Sequence, residues 1–219
     1  MKSIKEIYRI GQGPSSSHTM GPRKAAESFY KRNPEATSFE VVLYGSLAAT
    51  GKGHMTDVAI MNVFESHAPI HIIWEPKIFL PFHPNGMLFK AMDKWGNVTD
   101  SWTVFSIGGG ALAEEGKSCQ EGEEIYSMDC LVDIMHWCER TGRSYWEYVQ
   151  MCENSSLWDY LSEVWRTMKE AVERGLEQEG VLPGPLNLRR KAASYYIKAQ
   201  GYKDSLRSTV SECLFRCGH

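Results

Sequence analysis

The 219-residue chain lacks a long apolar run, a cluster of basic residues and a charged-then-apolar segment at its start. A membrane-spanning helix needs about 20 apolar residues and a secreted protein needs a leader, so neither class is predicted. The 24 basic residues are scattered and the net charge is -3, which gives no positive surface for nucleic acid or an anionic membrane. We therefore expect a cytoplasmic protein that acts on a small molecule.

Cysteine is present, but without the spacing of a metal site. The six cysteines are dispersed along the chain: Cys119, Cys130, Cys138, Cys152, Cys213 and Cys217. Because the chain has no secretion signal, most of them are expected to be reduced thiols in or near apolar cores. Cys213 and Cys217 form the only close pair, and two ligands are too few for a zinc or iron–sulfur site. No metal ligand is therefore assigned in this chain.

The hydrophobic pattern predicts an α+β domain followed by an all-helical segment. Strand patterns lie at 39–44, 70–74, 87–92 and 102–107. Helical patterns lie around them, at 23–31, 47–50 and 55–64. Further along the chain all patterns are helical, at 129–141, 144–153, 157–178 and 189–200. We expect an α+β domain over residues 1–113, an acidic, glycine-bearing linker over 114–126 and a helical segment over 127–219.

A serine-rich stretch at residues 13–22 lies directly ahead of the first long helical pattern. It places four hydroxyls and one imidazole, from Ser15, Ser16, Ser17, Thr19 and His18, between two Gly/Pro breakers. The hydroxyls could cap exposed helix amides, or they could bind a small anion at the start of the helix. Composition alone favours the helix cap and leaves the ligand site open.

A second polar loop carries His54 just before another helical pattern, with Thr56 and Asp57 placed to cap the helix or orient the imidazole. An imidazole titrates near neutral pH and could transfer a proton, although a surface histidine without function fits the spacing equally well. Nucleotide binding is not expected here, because Lys52 is followed by glycine instead of the Ser or Thr of a phosphate loop. If the two loops form one pocket, the strand between them should bring His18 and His54 together.

Two further turns border the predicted strands. His83, Pro84, Asn85 and Gly86 supply an imidazole and an amide, where a hairpin turn is the favoured interpretation and a site is the secondary one. Residues 108–110 are three glycines at the end of the last predicted strand. Because they have no side chains, the backbone there is expected to pass close to another group.

Several motifs together resemble bacterial iron–sulfur-dependent L-serine dehydratase, also called L-serine ammonia-lyase. The motifs are Gly13-Pro14-Ser15-Ser16-Ser17-His18-Thr19-x-Gly21-Pro22, Tyr44-Gly45-Ser46-Leu47-x-x-Thr50-Gly51-Lys52-Gly53-His54-x-Thr56-Asp57, Asn85-Gly86-Met87, Ser106-Ile107-Gly108-Gly109-Gly110 and Glu179-Gly180-Val181-Leu182-Pro183-Gly184-Pro185-Leu186. They follow the family's order up to about Ser208. The first domain of that family resembles the allosteric substrate-binding domain of D-3-phosphoglycerate dehydrogenase. The second is helical and holds a 4Fe-4S cluster through three cysteines, with one iron open to substrate.

The resemblance implies that L-serine is converted to pyruvate and ammonia, as part of amino-acid catabolism and gluconeogenesis. The open iron would act as a Lewis acid on the serine hydroxyl and carboxylate. His54 would accept the α-proton, and His18 would be a second acid/base or orienting group. The implied substrate-binding residues are Ser15, Ser16, Ser17, Thr19, Thr56, Asp57, Asn85, Ser106, Gly108 and Gly109.

The resemblance also implies that part of the family's length is missing from this chain. Members continue for roughly another domain past residues 183–185, and the cluster cysteines lie in that continuation. We therefore expect a truncated chain, with a foreign end over residues 209–219, that is inactive alone and forms a homodimer or pairs with a cluster-bearing alpha region. The alternative is a stand-alone serine-binding regulatory module without catalysis.

Overall fold

The computed structural model describes residues 1–65, 67–116 and 124–201, and the chain divides into two compact units, Met1–Val164 and Trp165–His219. The strands are β1 (Ser38–Tyr44), β2 (Ile70–Glu75), β3 (Gly86–Met92), β4 (Val98–Gly108) and β5 (Ala111–Ala113). The helices are α1 (Gly21–Arg32), α2 (Gly45–Thr50), α3 (Thr56–Phe64), α4 (Leu131–Thr141), α5 (Tyr145–Cys152) and α6 (Leu157–Glu177). Residues 192–201 are also helical. The predicted α+β class is confirmed.

The five strands form one mixed sheet in the order β2-β1-β3-β4-β5. β1 pairs with β2 in parallel, and the other neighbouring pairs are antiparallel. A parallel pair needs a crossover connection, and α2 and α3 supply it here. The alternation of β1 turns Phe39, Val41 and Leu43 to one face, where all three are buried.

Helices α1 and α3 contribute to the core on that face. Their buried apolar residues belong to the same cluster as the inward-facing residues of β1 and β3: Ala25, Ala26 and Phe29 from α1, and Ile60 and Phe64 from α3. The two alanines add little volume and so allow close approach of the helix. Because the core fixes both helices, it also fixes the loops that precede them.

The connection between β1 and α2 requires glycine. Gly45 has a φ of +49°, and a Cβ at this position would lie 2.6 Å from the carbonyl oxygen of Pro84. Only glycine combines that backbone conformation with so close an approach. The sharp turn places Ser46 directly at the end of β1, in the first turn of α2.

A second apolar cluster, around Tyr126, Trp137 and Tyr148, connects the N-terminal residues to α4 and α5. The Glu153 carboxylate accepts hydrogen bonds from the Ser3 hydroxyl at 2.8 Å, the Ile4 amide at 2.9 Å and the Tyr126 hydroxyl at 2.7 Å. Burial alone would raise the pKa of Glu153, but these bonds favour the carboxylate and the pKa is lowered. The Glu153 carboxylate therefore anchors the first residues of the chain.

The structure differs from the sequence prediction in three local features. Residues Ser16–Met20, expected as a loop, form a π-helical turn that leads into α1, and the sequence does not predict the short strand β5. The turn at residues 83–86 is not the expected hairpin turn, because β1 lies between β2 and β3 in the sheet. Much of the linker expected at 114–126 lies outside the described residues, as do Cys119, Cys213 and Cys217, and the domain boundaries stay a prediction. No helix in the described ranges has both the length and the apolar character needed to cross a membrane.

Candidate active site

The serine-rich stretch forms a capped turn at the start of α1. The Ser15 hydroxyl accepts a hydrogen bond from the His18 amide at 3.1 Å, and the Ser15 carbonyl accepts from the amides of Thr19 and Met20, both at 3.1 Å. Ser15 thus acts as the helix cap that composition favours. Ser16 is exposed at the outer side of this turn.

Two reciprocal hydrogen bonds connect this turn with the loop that carries the second histidine. The Thr19 hydroxyl donates to the carbonyl oxygen of His54 at 2.8 Å, and the Thr56 hydroxyl donates to the carbonyl oxygen of His18 at 2.5 Å. Both threonines are buried. Each threonine therefore holds the backbone of the histidine in the other loop, and the expected proximity of the two loops is confirmed.

The two imidazole rings face each other, with centroids 4.8 Å apart and planes inclined by 37°. His18 lies between two hydroxyls, Ser17 Oγ at 2.9 Å from Nδ1 and Ser46 Oγ at 3.3 Å from Nε2. His54 Nδ1 lies 3.0 Å from the carbonyl oxygen of Thr50. Because a carbonyl only accepts, this contact assigns the ring proton of neutral His54 to Nδ1 and leaves the lone pair on Nε2.

Burial and the neighbouring imidazole both act on the charge of His18. Desolvation lowers the pKa of His18, the charge of His54 lowers it further, and a contact with the Ser46 backbone opposes them. The net effect favours a neutral His18 at neutral pH. A neutral imidazole beside a second imidazole can accept a proton and pass it on.

Asn85 and Ser106 lie together beneath the start of α1. The Asn85 side-chain amide donates to the Ser106 carbonyl at 3.1 Å, and the Ser106 amide donates to the Asn85 carbonyl at 3.0 Å. Among the described residues, the buried atoms Ser106 Oγ and Asn85 Oδ1 have no hydrogen-bond partner. A buried polar atom without a hydrogen-bond partner lowers the stability of the fold by about 1–3 kcal/mol, and such atoms are often found at functional sites.

The hydrogen bonds of the remaining predicted site residues are made to groups other than His18 and His54. Asp57 Oδ1 accepts from the Val58 amide at 2.9 Å, and the Gly109 carbonyl accepts from Arg9 Nη1 at 2.6 Å. Gly108 and Gly109 have φ values of +108° and +57°, which glycine adopts without strain. The His83 ring accepts from the Asn85 amide at 3.1 Å, as part of the turn before β3.

Sequence reasoning missed two residues of this region, Ser46 and Arg9. Ser46 had a signal, because a strand that ends in Gly-Ser often leads into a site, whereas nothing in the sequence pointed from Arg9 to the glycine turn. Arg9, Met20 and Gly110 also line a neighbouring groove of about 730 Å³, together with Arg23, Tyr160 and others. Neither His18 nor His54 lines that groove.

The described residues do not fit a 4Fe-4S cluster. Cys130 is exposed, and Cys138 and Cys152 are half-buried and pack against the second apolar cluster. Within the described ranges, the one group of three potential ligands with atoms within 4.8 Å of one another is Asp129, Cys130 and Asp133, which contains a single thiol. A cluster of this type needs several converging thiolates.

Gly21 provides a direct test of the packing beneath the turn. A Cβ at Gly21 would lie 2.2 Å from Ser106 Oγ, so Gly21→Ala is expected to lower the free energy of unfolding by about 1–3 kcal/mol in urea denaturation. Adding Ser106→Gly should recover part of the loss. Gly175→Ala is the control, because an added Cβ there meets no atom within 4 Å and alanine favours the helix by about 1 kcal/mol. Equal stability of Gly21→Ala and wild type would contradict the packing described.

Comparison with known proteins finds a matching family model and several similar relatives. The family model described as serine dehydratase beta chain matches residues 3–72 and 62–117. L-serine dehydratase of Haemophilus influenzae is 31% identical over 91% of this chain and 55% of the relative. L-serine dehydratase 2 of Escherichia coli is 33% identical over 89% of this chain and 53% of the relative. The chain spans about half the length of these curated relatives. Because the family model matches more than half of its residues, the chain belongs to the serine dehydratase beta chain family.

Proposed function

We propose that this chain forms the β-type part of an L-serine ammonia-lyase, which converts L-serine to pyruvate and ammonia in the cytoplasm. The observation that carries the proposal is the facing pair of His18 and His54, held by reciprocal hydrogen bonds between the two loops that carry the family's motifs. Membership of the serine dehydratase beta chain family supports the choice of substrate.

The two histidines provide the proton transfers that the reaction needs. Loss of water from serine requires removal of the α-proton and departure of the hydroxyl, both of which are slow at neutral pH without acid–base help. His54 Nε2 carries the lone pair and accepts the α-proton. His18, hydrogen-bonded through both ring nitrogens, is the second acid/base group. Loss of water leaves aminoacrylate, which tautomerises to an imine. A water molecule then hydrolyses the imine to pyruvate and ammonia.

The polar groups around the pair bind and orient the substrate in this proposal. Ser16 and Ser17 lie in the first turn of the π-helical segment, where backbone amides lack intrahelical partners and favour a carboxylate. Ser15 and Thr19 hold that turn, and the Thr56 hydroxyl joins it to the start of α3, where Asp57 accepts from the Val58 amide. Ser106 and Asn85 lie beneath the turn. Gly108 and Gly109 form the neighbouring wall.

We assign the cluster ligands to the polypeptide that corresponds to the unmatched half of the relatives. The basis is that the described residues lack converging thiolates, while the relatives are about twice as long as the matched region. This chain would then work in a homodimer or as a pair with that cluster-bearing region, and its L-serine site would be completed there.

The chain alone is expected to remain colourless after anaerobic reconstitution with iron and sulfide, and to release no pyruvate from L-serine. Co-expression with the unmatched half of a curated relative, such as that of Haemophilus influenzae, is expected to restore pyruvate release. A brown, active product from this chain without a partner would contradict the assignment of the cluster ligands. Serine binding without turnover in the complete pair would favour the regulatory module instead.

In the complete pair, His54→Ala is expected to lower turnover by about 10²-fold or more, because the group that accepts the α-proton is lost. The KM for L-serine should change much less, since the substrate contacts remain. The matched control is His71→Ala, which removes an exposed imidazole from the edge strand β2 and should leave turnover unchanged. Wild-type turnover in His54→Ala would remove His54 from the mechanism.

A further inference from the structure

The backbone of Ser46 is held on both sides in the first turn of α2. Its amide donates to the carbonyl oxygen of Pro84 at 3.0 Å, and its carbonyl accepts from the Thr50 hydroxyl at 2.9 Å. The preceding Gly45 is closely packed, because an added Cβ would lie 2.9 Å from the Phe79 ring and 2.6 Å from the Pro84 carbonyl oxygen. The Ser46 hydroxyl therefore projects from a fixed point at the end of β1.

This hydroxyl contacts the edge of His18 that the histidine's own turn does not reach. Ser17, the adjacent residue, lies at Nδ1, whereas Ser46, 28 positions away in the chain, lies at Nε2. A hydroxyl both donates and accepts, so the two serines can satisfy either neutral tautomer of the ring and also the imidazolium. The imidazole is held at both ends by groups from separate elements.

The orientation of the ring depends on the contact at Nε2. Rotation of the side chain about its Cα–Cβ bond moves Nε2 further than Nδ1, because Nε2 lies further from that bond. Ser17 at Nδ1 therefore restrains this rotation less than a contact at Nε2 does. The group that faces the ring is His54, at 4.8 Å between centroids, and the ring of His54 is fixed in turn by Thr50. A turn of His18 away from Ser46 would therefore change the distance over which the pair exchanges a proton.

We propose that Ser46 is a positioning residue for His18, whose hydroxyl fixes the Nε2 edge of the imidazole and keeps the ring facing His54. The inference rests on the proposed proton transfer by the histidine pair, yet it concerns the ring itself. It can therefore be tested on the chain as it stands, without a partner and without turnover.

The test is a pH titration of the full-length chain with ¹⁵N-labelled histidine, followed by NMR correlation of ring nitrogens and carbon-bound ring protons. His18→Gln identifies the His18 signals. In Ser46→Ala, the Nε2 shift of neutral His18 is expected to change. The titration midpoint is expected to move to lower pH by the share that the hydroxyl contributes, because the contact of His18 with the Ser46 backbone remains. The reason is that a hydroxyl binds the imidazolium N–H more strongly than the neutral ring, so its loss disfavours the charged form.

Two further variants separate positioning from a general effect on the fold. Ser46→Thr keeps a hydroxyl at the same place and is expected to restore the wild-type midpoint and Nε2 shift. Ser101→Ala removes an exposed hydroxyl from β4 and should leave both unchanged. The inference is overturned if the His18 signals of Ser46→Ala superimpose on those of wild type, or if Ser101→Ala changes them equally. Neither outcome bears on pyruvate release, which tests the proposed function separately.

Discussion

The facing arrangement of His18 and His54 depends on two buried hydroxyls, those of Thr19 and Thr56, whose hydrogen bonds connect positions 35 and 38 residues apart in the chain. The Thr19 hydroxyl donates to the backbone carbonyl of His54, and the Thr56 hydroxyl donates to the backbone carbonyl of His18. A buried polar group that is left without a partner costs about 1–3 kcal/mol, and both threonines are buried, so each bond favours the joined arrangement. Because these bonds are made to the backbone of the two histidines, they fix the backbone positions from which both imidazole side chains extend. The hydroxyls of Ser17 and Ser46 then set how the His18 ring is turned.

The sheet and the helices packed on it hold the Thr19 and Thr56 hydroxyls at a fixed separation. Thr19 lies just before α1, and Thr56 is the first residue of α3. Both helices contribute to one apolar core, in which Phe29 and Phe64 are fully buried. A close-packed interior resists small displacements, so the two helix starts stay at a fixed separation. The core thus positions the two histidines, although it contains neither of them.

Much of this arrangement could be predicted from the sequence because it follows from periodic patterns. The β-branched and aromatic run at 39–44 indicates β1, and the apolar spacing around Ala25 and Ile60 indicates α1 and α3. The proximity of the two histidine loops followed from the single strand between them. The change along the chain from mixed strand and helix patterns to helical patterns alone was sufficient to predict the fold class.

The details of the site could not be predicted, because contacts between short polar loops have no periodicity. The π-helical turn at Ser16–Met20 lies between Gly/Pro breakers and has the composition of a loop. The contact of Ser46 with His18 depends on the sharp turn at Gly45, and that of Arg9 with Gly109 on the path of the N-terminal residues. Each is a long-range consequence of the packed sheet.

The most direct test of the reciprocal hydrogen bonds is the nuclear Overhauser effect between the ring protons of His18 and His54. The account predicts a clear effect in the wild-type chain. It also predicts its loss in the double variant Thr19→Val, Thr56→Val, which keeps side-chain shape and removes both hydroxyls, while the effects between β1 and β3 persist. An unchanged effect between the rings of the double variant, or its absence in wild type, would contradict the account.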